Sequence, residues 1–362
     1  MDCSNEIIET NNKKSIKNNK TKKVYIEMLR CIAIFLVIFN HTGINGFQLY
    51  ARTGNEILYA IYLAFSIVCK IAVPIFFMIS GALLLNKEES IKELYKKRVL
   101  RIVIVIIFAS FFQYIWEMKN DFNIFDFFKT IYSKNIVSSY WFLYAYLGFL
   151  ITLPFMRSLV KNMKKEYYYY LFALYIFYIL VVPFIREITG IDLYSQVKLG
   201  IFTTNIIAPI AGYFCENILK KEKINKKSII IGTIIVIATI AIAELLTILE
   251  IRDTNNKRVQ TYLSYGTILI ATYVYIFIKF IFENKKLPKF LEKIILTIGS
   301  CSFGIYLIER NIRSVIFEDM ISALSPIIKS MPACIMTILT IILIGTIITM
   351  ILKKIPYINK LL

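Results

Sequence analysis

One histidine serves the whole chain. His41 closes an apolar stretch, YIEMLRCIAIFLVIFNHTG, that also carries Glu27, Arg30 and Asn40. Polar groups in such a run are costly inside a bilayer and are usually functional or paired. Arg30 and His41 are eleven residues apart, so on a helix they share one face, about 16 Å apart along the axis. Glu27 lies one turn before Arg30 on the same side. A sole histidine rules out zinc sites built on two or three imidazoles, and no metal is expected. Its ordinary pKa near neutrality suits a proton acceptor or a transient carrier. The plainer alternatives are a snorkelling arginine and a hydrogen-bonded histidine at a helix end. A second cue is KKRVLRIV, where Arg98 and Arg101 sit at i and i+3 on one helix face. Two guanidiniums there suit the phosphates of a cytosolic ligand, unless they only signal topology. A third is the sidedness of Glu117, Glu244 and Glu309, which fall in the same halves of their spans as His41, with Lys70 near the middle of its own. Carboxylates at that depth need partners, and His41 or Lys70 can supply one. For Glu309 the competing reading is a rim carboxylate paired with Arg310 or Arg313.

The elements that carry these residues must cross a membrane. The chain has 362 residues, 57% of them hydrophobic, arranged in runs of membrane-spanning length. Ten apolar spans are expected, at about 26–46, 57–85, 99–118, 138–156, 167–185, 199–217, 228–250, 261–283, 292–309 and 331–352. The second is long and contains Pro74, so a tilt or a break is expected. Residues 123–134 alternate phenylalanines with charges, as an interfacial amphipathic stretch does. The Lys-rich residues 1–23 lack an apolar core and are expected to be a disordered cytoplasmic tail before a single membrane domain, 24–362. The net charge of +19 raises nucleic acid as a partner. Yet basic residues outside the spans alternate, with more than twice as many in odd-numbered segments as in even ones. That is the positive-inside pattern, with both termini cytoplasmic, so the charge is a topology signal and no nucleic acid is expected. The six cysteines form no CxxC pair and read as small buried hydrophobes.

In order along the chain, several of these stretches resemble the motifs of acyltransferase family 3, membrane proteins that acylate sugars and other envelope molecules from acyl-CoA. Glu27, Arg30 and His41 resemble the first-helix signature. Val73-Pro74 through Ser80-Gly81 resembles the second-helix block. Arg98-Val-Leu-Arg101 resembles the cytoplasmic arginine pair. Ser139-Tyr-Trp141-Phe-Leu-Tyr144 followed by Gly148, and Ser302-Phe-Gly304-Ile-Tyr306-Leu-Ile, resemble two later helices. The late block of many members ends in histidine, where this chain has Glu309.

The resemblance implies a polytopic all-α bundle that moves an acyl group, in the simplest case acetyl, from cytosolic acyl-CoA as co-substrate to a hydroxyl of an envelope polysaccharide or lipid-linked glycan. His41 would be the general base or the acyl carrier, with Glu309 beside it. Arg30, Arg98 and Arg101 would bind CoA phosphates. Glu27, Trp141 and Ser80 would support the site. The Ile-, Lys- and Asn-rich composition suggests a bacterial plasma membrane. The rival readings are a transporter-like domain for serine or another small molecule, and a polysaccharide export or assembly component.

Overall fold

The computed structural model describes residues 23–118, 123–191, 193, 200–219, 224–284 and 287–362. It is 85% helical, with no strand among the described residues. Helix α1 spans Val24–Asn40. Helices α2 (Glu56–Cys69) and α3 (Ala72–Leu84) follow. A π-helical turn, Tyr95–Val99, leads into α4 (Leu100–Met118). Next come α5 (Ile124–Ser133) and α6 (Trp141–Asn162). Helices α7 (Lys165–Ile176) and α8 (Val182–Thr189) join through a second π turn. Helix α9 (Thr204–Tyr213) ends in a third, Phe214–Ile218. The long helices α10 (Lys226–Thr254), α11 (Thr267–Asn284), α12 (Lys289–Ile328) and α13 (Ser330–Leu352) complete the bundle.

With α2 and α3 taken together (Glu56–Leu84), and α7 with α8 (Lys165–Thr189), eight helical segments among the described residues are long and apolar enough to cross a bilayer, against the ten expected. The two that fall short are α1, with 17 residues, and α9, with 10 before its π turn. Both are enclosed by other helices. Leu29, Ala33, Ile34, Ile38 and Phe39 of α1 have no exposed surface, and nor do Ile207, Ala208, Ile210 and Ala211 of α9. The outermost helices present apolar side chains instead: Ile230, Ile234 and Ile237 of α10 are 60–61% exposed, as a lipid-facing surface requires.

The long second span is broken, as its proline foretold. Helix α2 ends at Cys69 and α3 begins at Ala72, with Lys70 and Ile71 in the tight turn between. Pro74 has no N–H to give the carbonyl of Lys70, so the α-helical ladder stops there. The ninth span is a correction in the opposite direction. Helix α12 does not end near residue 309 but runs unbroken for 40 residues. At 1.5 Å per residue that is about 60 Å, twice the hydrocarbon thickness of a bilayer. The amphipathic stretch is α5, which buries Phe127 against Phe111 and Tyr114 and leaves Phe125 exposed.

Close helix approach depends on glycine. A Cβ on Gly81 of α3 would lie 2.0 Å from the carbonyl oxygen of Pro209, and one on Gly212 of α9 would lie 2.0 Å from that of Met78. The two backbones cross on this pair, as small residues allow in membrane bundles. The start of α1 is tied to α9 and α11 by one carboxylate. Glu216 accepts from Tyr25 at 2.7 and 2.8 Å, pairs with Lys23, and lies 3.3 Å from Lys279. Lys23, expected in the tail, is thereby part of the bundle; residues 1–22 lie outside the described residues.

Candidate functional site

Helix α1 ends at His41 because the chain turns away there, with backbone φ −93° and ψ 3°. The imidazole therefore sits at the rim of the core rather than within it. Helix α12 runs parallel to α1: Gly299 meets Glu27 near the start, and Glu309 meets His41 further on. The His41 Nδ1 lies 2.8 Å from Glu309 Oε1, and Glu309 is only 1% exposed. A carboxylate accepts only, so in the neutral ring Nδ1 carries the proton and Nε2 keeps its lone pair. The other Glu309 oxygen is 3.4 Å from Arg313 Nε, one turn along α12. The pairing with Arg313 exists, but on a buried carboxylate that also holds the histidine, not on an exposed rim.

His41 opens onto a cavity of about 300 Å³ inside the bundle. At the far end of that cavity, toward the start of α1, are Arg30 and Arg101. Phe76, Ile79, Phe142 and Phe303 line the passage between. Among the described residues no Asp or Glu side chain lines it. Arg30 Nη1 is held at 2.7 Å by Glu27 Oε1, which is itself buried. The second oxygen of Glu27 has no hydrogen-bond partner and packs where a Cβ on residue 299 would stand, 2.7 Å from it. Glycine at 299 thus lets the α1 carboxylate and backbone press against α12. Arg101 donates through Nε and Nη2 to the carbonyl of Leu361, at 3.2 and 3.0 Å.

Arg98 is placed elsewhere. It does not line the cavity, because Glu89 accepts from its Nε and Nη2 at 2.8 and 3.1 Å. Glu89 also accepts from Arg157 at 2.9 Å. The Arg98 guanidinium, with Arg157 beside it, holds the Glu89 carboxyl down to about 2. The π turn that carries Arg98 rotates it toward this loop while Arg101, on the next turn, faces the interior.

Ser80 and Trp141 both line the cavity. The Ser80 hydroxyl donates to the Phe76 carbonyl at 2.8 Å. Trp141 opens α6, and two crossed bonds fix that helix start: Tyr306 donates to the Ser139 carbonyl at 2.7 Å and Tyr140 to the Leu307 carbonyl at 3.0 Å. Lys70 also lines the cavity, and no carboxylate pairs with it among the described residues. Glu244 shares no hydrogen bond with His41 or Lys70, and the Glu117 side chain lies outside the described set. Two contacts had no sequence signature: Glu89, one of several acids in a charged loop, and Gln260, in a polar loop far along the chain.

The acyltransferase family 3 model, described as an acyltransferase domain, matches residues 23–350. No curated protein and no solved structure matches the chain. The match spans the helices that build the cavity, from Glu27 and His41 on α1 to Glu309 on α12. The chain belongs to acyltransferase family 3, and it is a multi-pass membrane acyltransferase.

Proposed function

We propose that the protein moves an acyl group, acetyl in the simplest case, from cytosolic acyl-CoA to a hydroxyl of an envelope polysaccharide or lipid-linked glycan in a bacterial plasma membrane. The observation that carries this reading is one cavity with cations at one end and a carboxylate-held histidine at the other. Arg30 and Arg101 would take the phosphates of CoA. A neighbouring rim cavity, lined by Lys289, Lys293 and Lys353 with Glu292, shares Ser300 with the main one and adds net positive charge at the same end. The roughly 16 Å between Arg30 and His41 is a span for the pantetheine arm. Arg98 contributes through Glu89 by fixing the start of α4.

At the other end, Nε2 of His41 takes the proton of the acceptor hydroxyl as its oxygen attacks the thioester carbonyl. The tetrahedral intermediate collapses, the C–S bond breaks, and the CoA thiolate leaves with a proton returned by the imidazolium. Glu309 keeps the tautomer and balances the transient positive charge.

The test uses purified protein in nanodiscs with radiolabelled acetyl-CoA and envelope glycan. CoA release coupled to glycan labelling is expected, and Arg101→Gln should raise the KM for acyl-CoA with little change in acceptor dependence. Uptake of serine or another solute without CoA release would favour the transporter reading instead.

A further inference from the structure

Several cations packed inside this bundle have a carboxylate partner. Arg30 has Glu27, Arg98 and Arg157 share Glu89, and Lys279 has Glu216. Two cavity-lining cations have no carboxylate: Arg101, at the end assigned to the CoA phosphates, and Lys70, at the end with His41. The Lys70 ammonium lies 3.4 Å from Asn40 Oδ1 and 3.3 Å from Gln260 Oε1, both neutral amides at long range. It stands 4.5 Å from the centroid of the Phe47 ring. Ser66 donates to the Phe47 carbonyl and fixes that loop beneath the amine. An ammonium has three donors, and the amides occupy two. The C-terminus of α2 and the Phe47 face favour a cation here without cancelling its charge. Lys70 is half-buried and has no counter-ion among the described residues, so a ligand that brings one gains a charge-assisted hydrogen bond.

The position says which ligand. Asn40 precedes His41 in the chain, and both line the cavity. Gln260 comes from the loop that follows α10. Lys70 therefore bridges that loop and the residue that precedes the histidine. Resting on the acyl-transfer reading above, we propose that Lys70 selects an acceptor that carries a negative charge, carboxylate or phosphate, close to the hydroxyl that is acylated.

The test reads ligand binding, which does not require turnover. Thermal stabilisation in nanodiscs is titrated with glucuronate, inorganic phosphate and glucose, for wild type, Lys70→Gln, Lys70→Arg and Arg101→Gln. Wild type should bind at least one anion more tightly than glucose, by roughly ten- to a hundredfold for a charge-assisted hydrogen bond. Lys70→Gln should lose that preference, and Lys70→Arg should keep part of it. The arm that responds, glucuronate or phosphate, names the anion. Equal binding of all three by wild type would overturn the proposal. So would anion binding that survives Lys70→Gln but not Arg101→Gln, which places the anion at the donor end. In acyl transfer, an equal drop in kcat for neutral and anionic acceptors in Lys70→Gln would overturn it too, since that marks an oxyanion contact. Absence of CoA release by wild type, with the anion preference intact, would count against acyl transfer and not against this site.

Discussion

At His41 the chemistry depends on which nitrogen is left free. Glu309 takes Nδ1, so only Nε2 can accept a proton from substrate. His41→Ala should still fold, with a lowered thermal midpoint because buried Glu309 keeps only Arg313, and should lose roughly 10²–10⁴-fold in CoA release, the usual contribution of a general base. Near-wild-type turnover would remove the imidazole from the mechanism. Glu309→Gln is a sharper probe. A glutamine can turn its amide N–H toward Nδ1 and stabilise the wrong tautomer, and it no longer balances the imidazolium. Turnover should fall about 10²-fold or more while the KM for acyl-CoA holds, because the donor contacts proposed above are at the other end of the cavity. A change confined to thermal stability would reduce Glu309 to a partner of Arg313. Much at this scale was legible: the eleven-residue spacing puts Arg30 and His41 on one face by counting alone, and Glu309 stood out where the chain departs from the block it resembles. Arg98 was not legible. Glu88, Glu89 and Glu93 are equivalent in sequence, and only the folded loop gives Glu93 to Lys97 and Glu89 to Arg98.

Helices set how far such residues can be trusted to meet. Pro74 announced the break between α2 and α3, because a missing N–H is a local fact. The 40-residue length of α12 was not announced. Its polar stretch around Arg310–Arg313 ends the hydropathy signal, yet contains no proline or glycine to end the helix. The shortness of α1 and α9 was equally hidden, since it depends on enclosure by neighbours. The crossing of α3 and α9 gives a direct test. Gly81→Ala and Gly212→Ala each set a methyl 2.0 Å from a backbone oxygen, so either should cost about 3 kcal/mol or more, read as a large fall in thermal midpoint. Gly148→Ala on α6 has nothing within 4 Å and should be neutral or slightly stabilising. The clamp at Glu89 is testable through pH. Its carboxyl is depressed in the fold, so its stabilising contribution is full above the unfolded value near 4.3 and is lost as pH falls toward about 2. Glu89→Gln should remove that segment of acid sensitivity and, by leaving Arg98 and Arg157 unpaired, lower stability at neutral pH by about 2 kcal/mol.

For the molecule as a whole, a cavity with two chemically distinct ends has meaning only if those ends face different compartments. The alternation of basic loops would put Lys23, Arg101 and the region after α13 in the cytoplasm, and the rim beyond His41 on the opposite side. Contacts within the fold agree on grouping: Lys23 meets Glu216 at the end of α9, Arg101 meets Leu361, and at the other end Lys70 meets Gln260. Grouping is not orientation, and labelling supplies it. Cys69, Cys215, Cys301 and Cys334 are buried, so a background lacking only Cys3 and Cys31 should be silent to an impermeant maleimide. Single cysteines at Gly54, Lys134 and Lys257 are exposed and spare the side-chain caps made by Asn55, Asn123 and Asn225. Intact cells should label all three, and should label Lys227→Cys only after permeabilisation. Labelling of Lys227→Cys from outside would invert the bundle. The end proposed for the CoA phosphates would then face away from the cytosolic pool of acyl-CoA, and the donor would have to be something other than a cytosolic thioester. The expected pattern places His41 at the end remote from that pool; under the proposed function the acyl group would then travel along the cavity while the CoA phosphates stay at the Arg101 end.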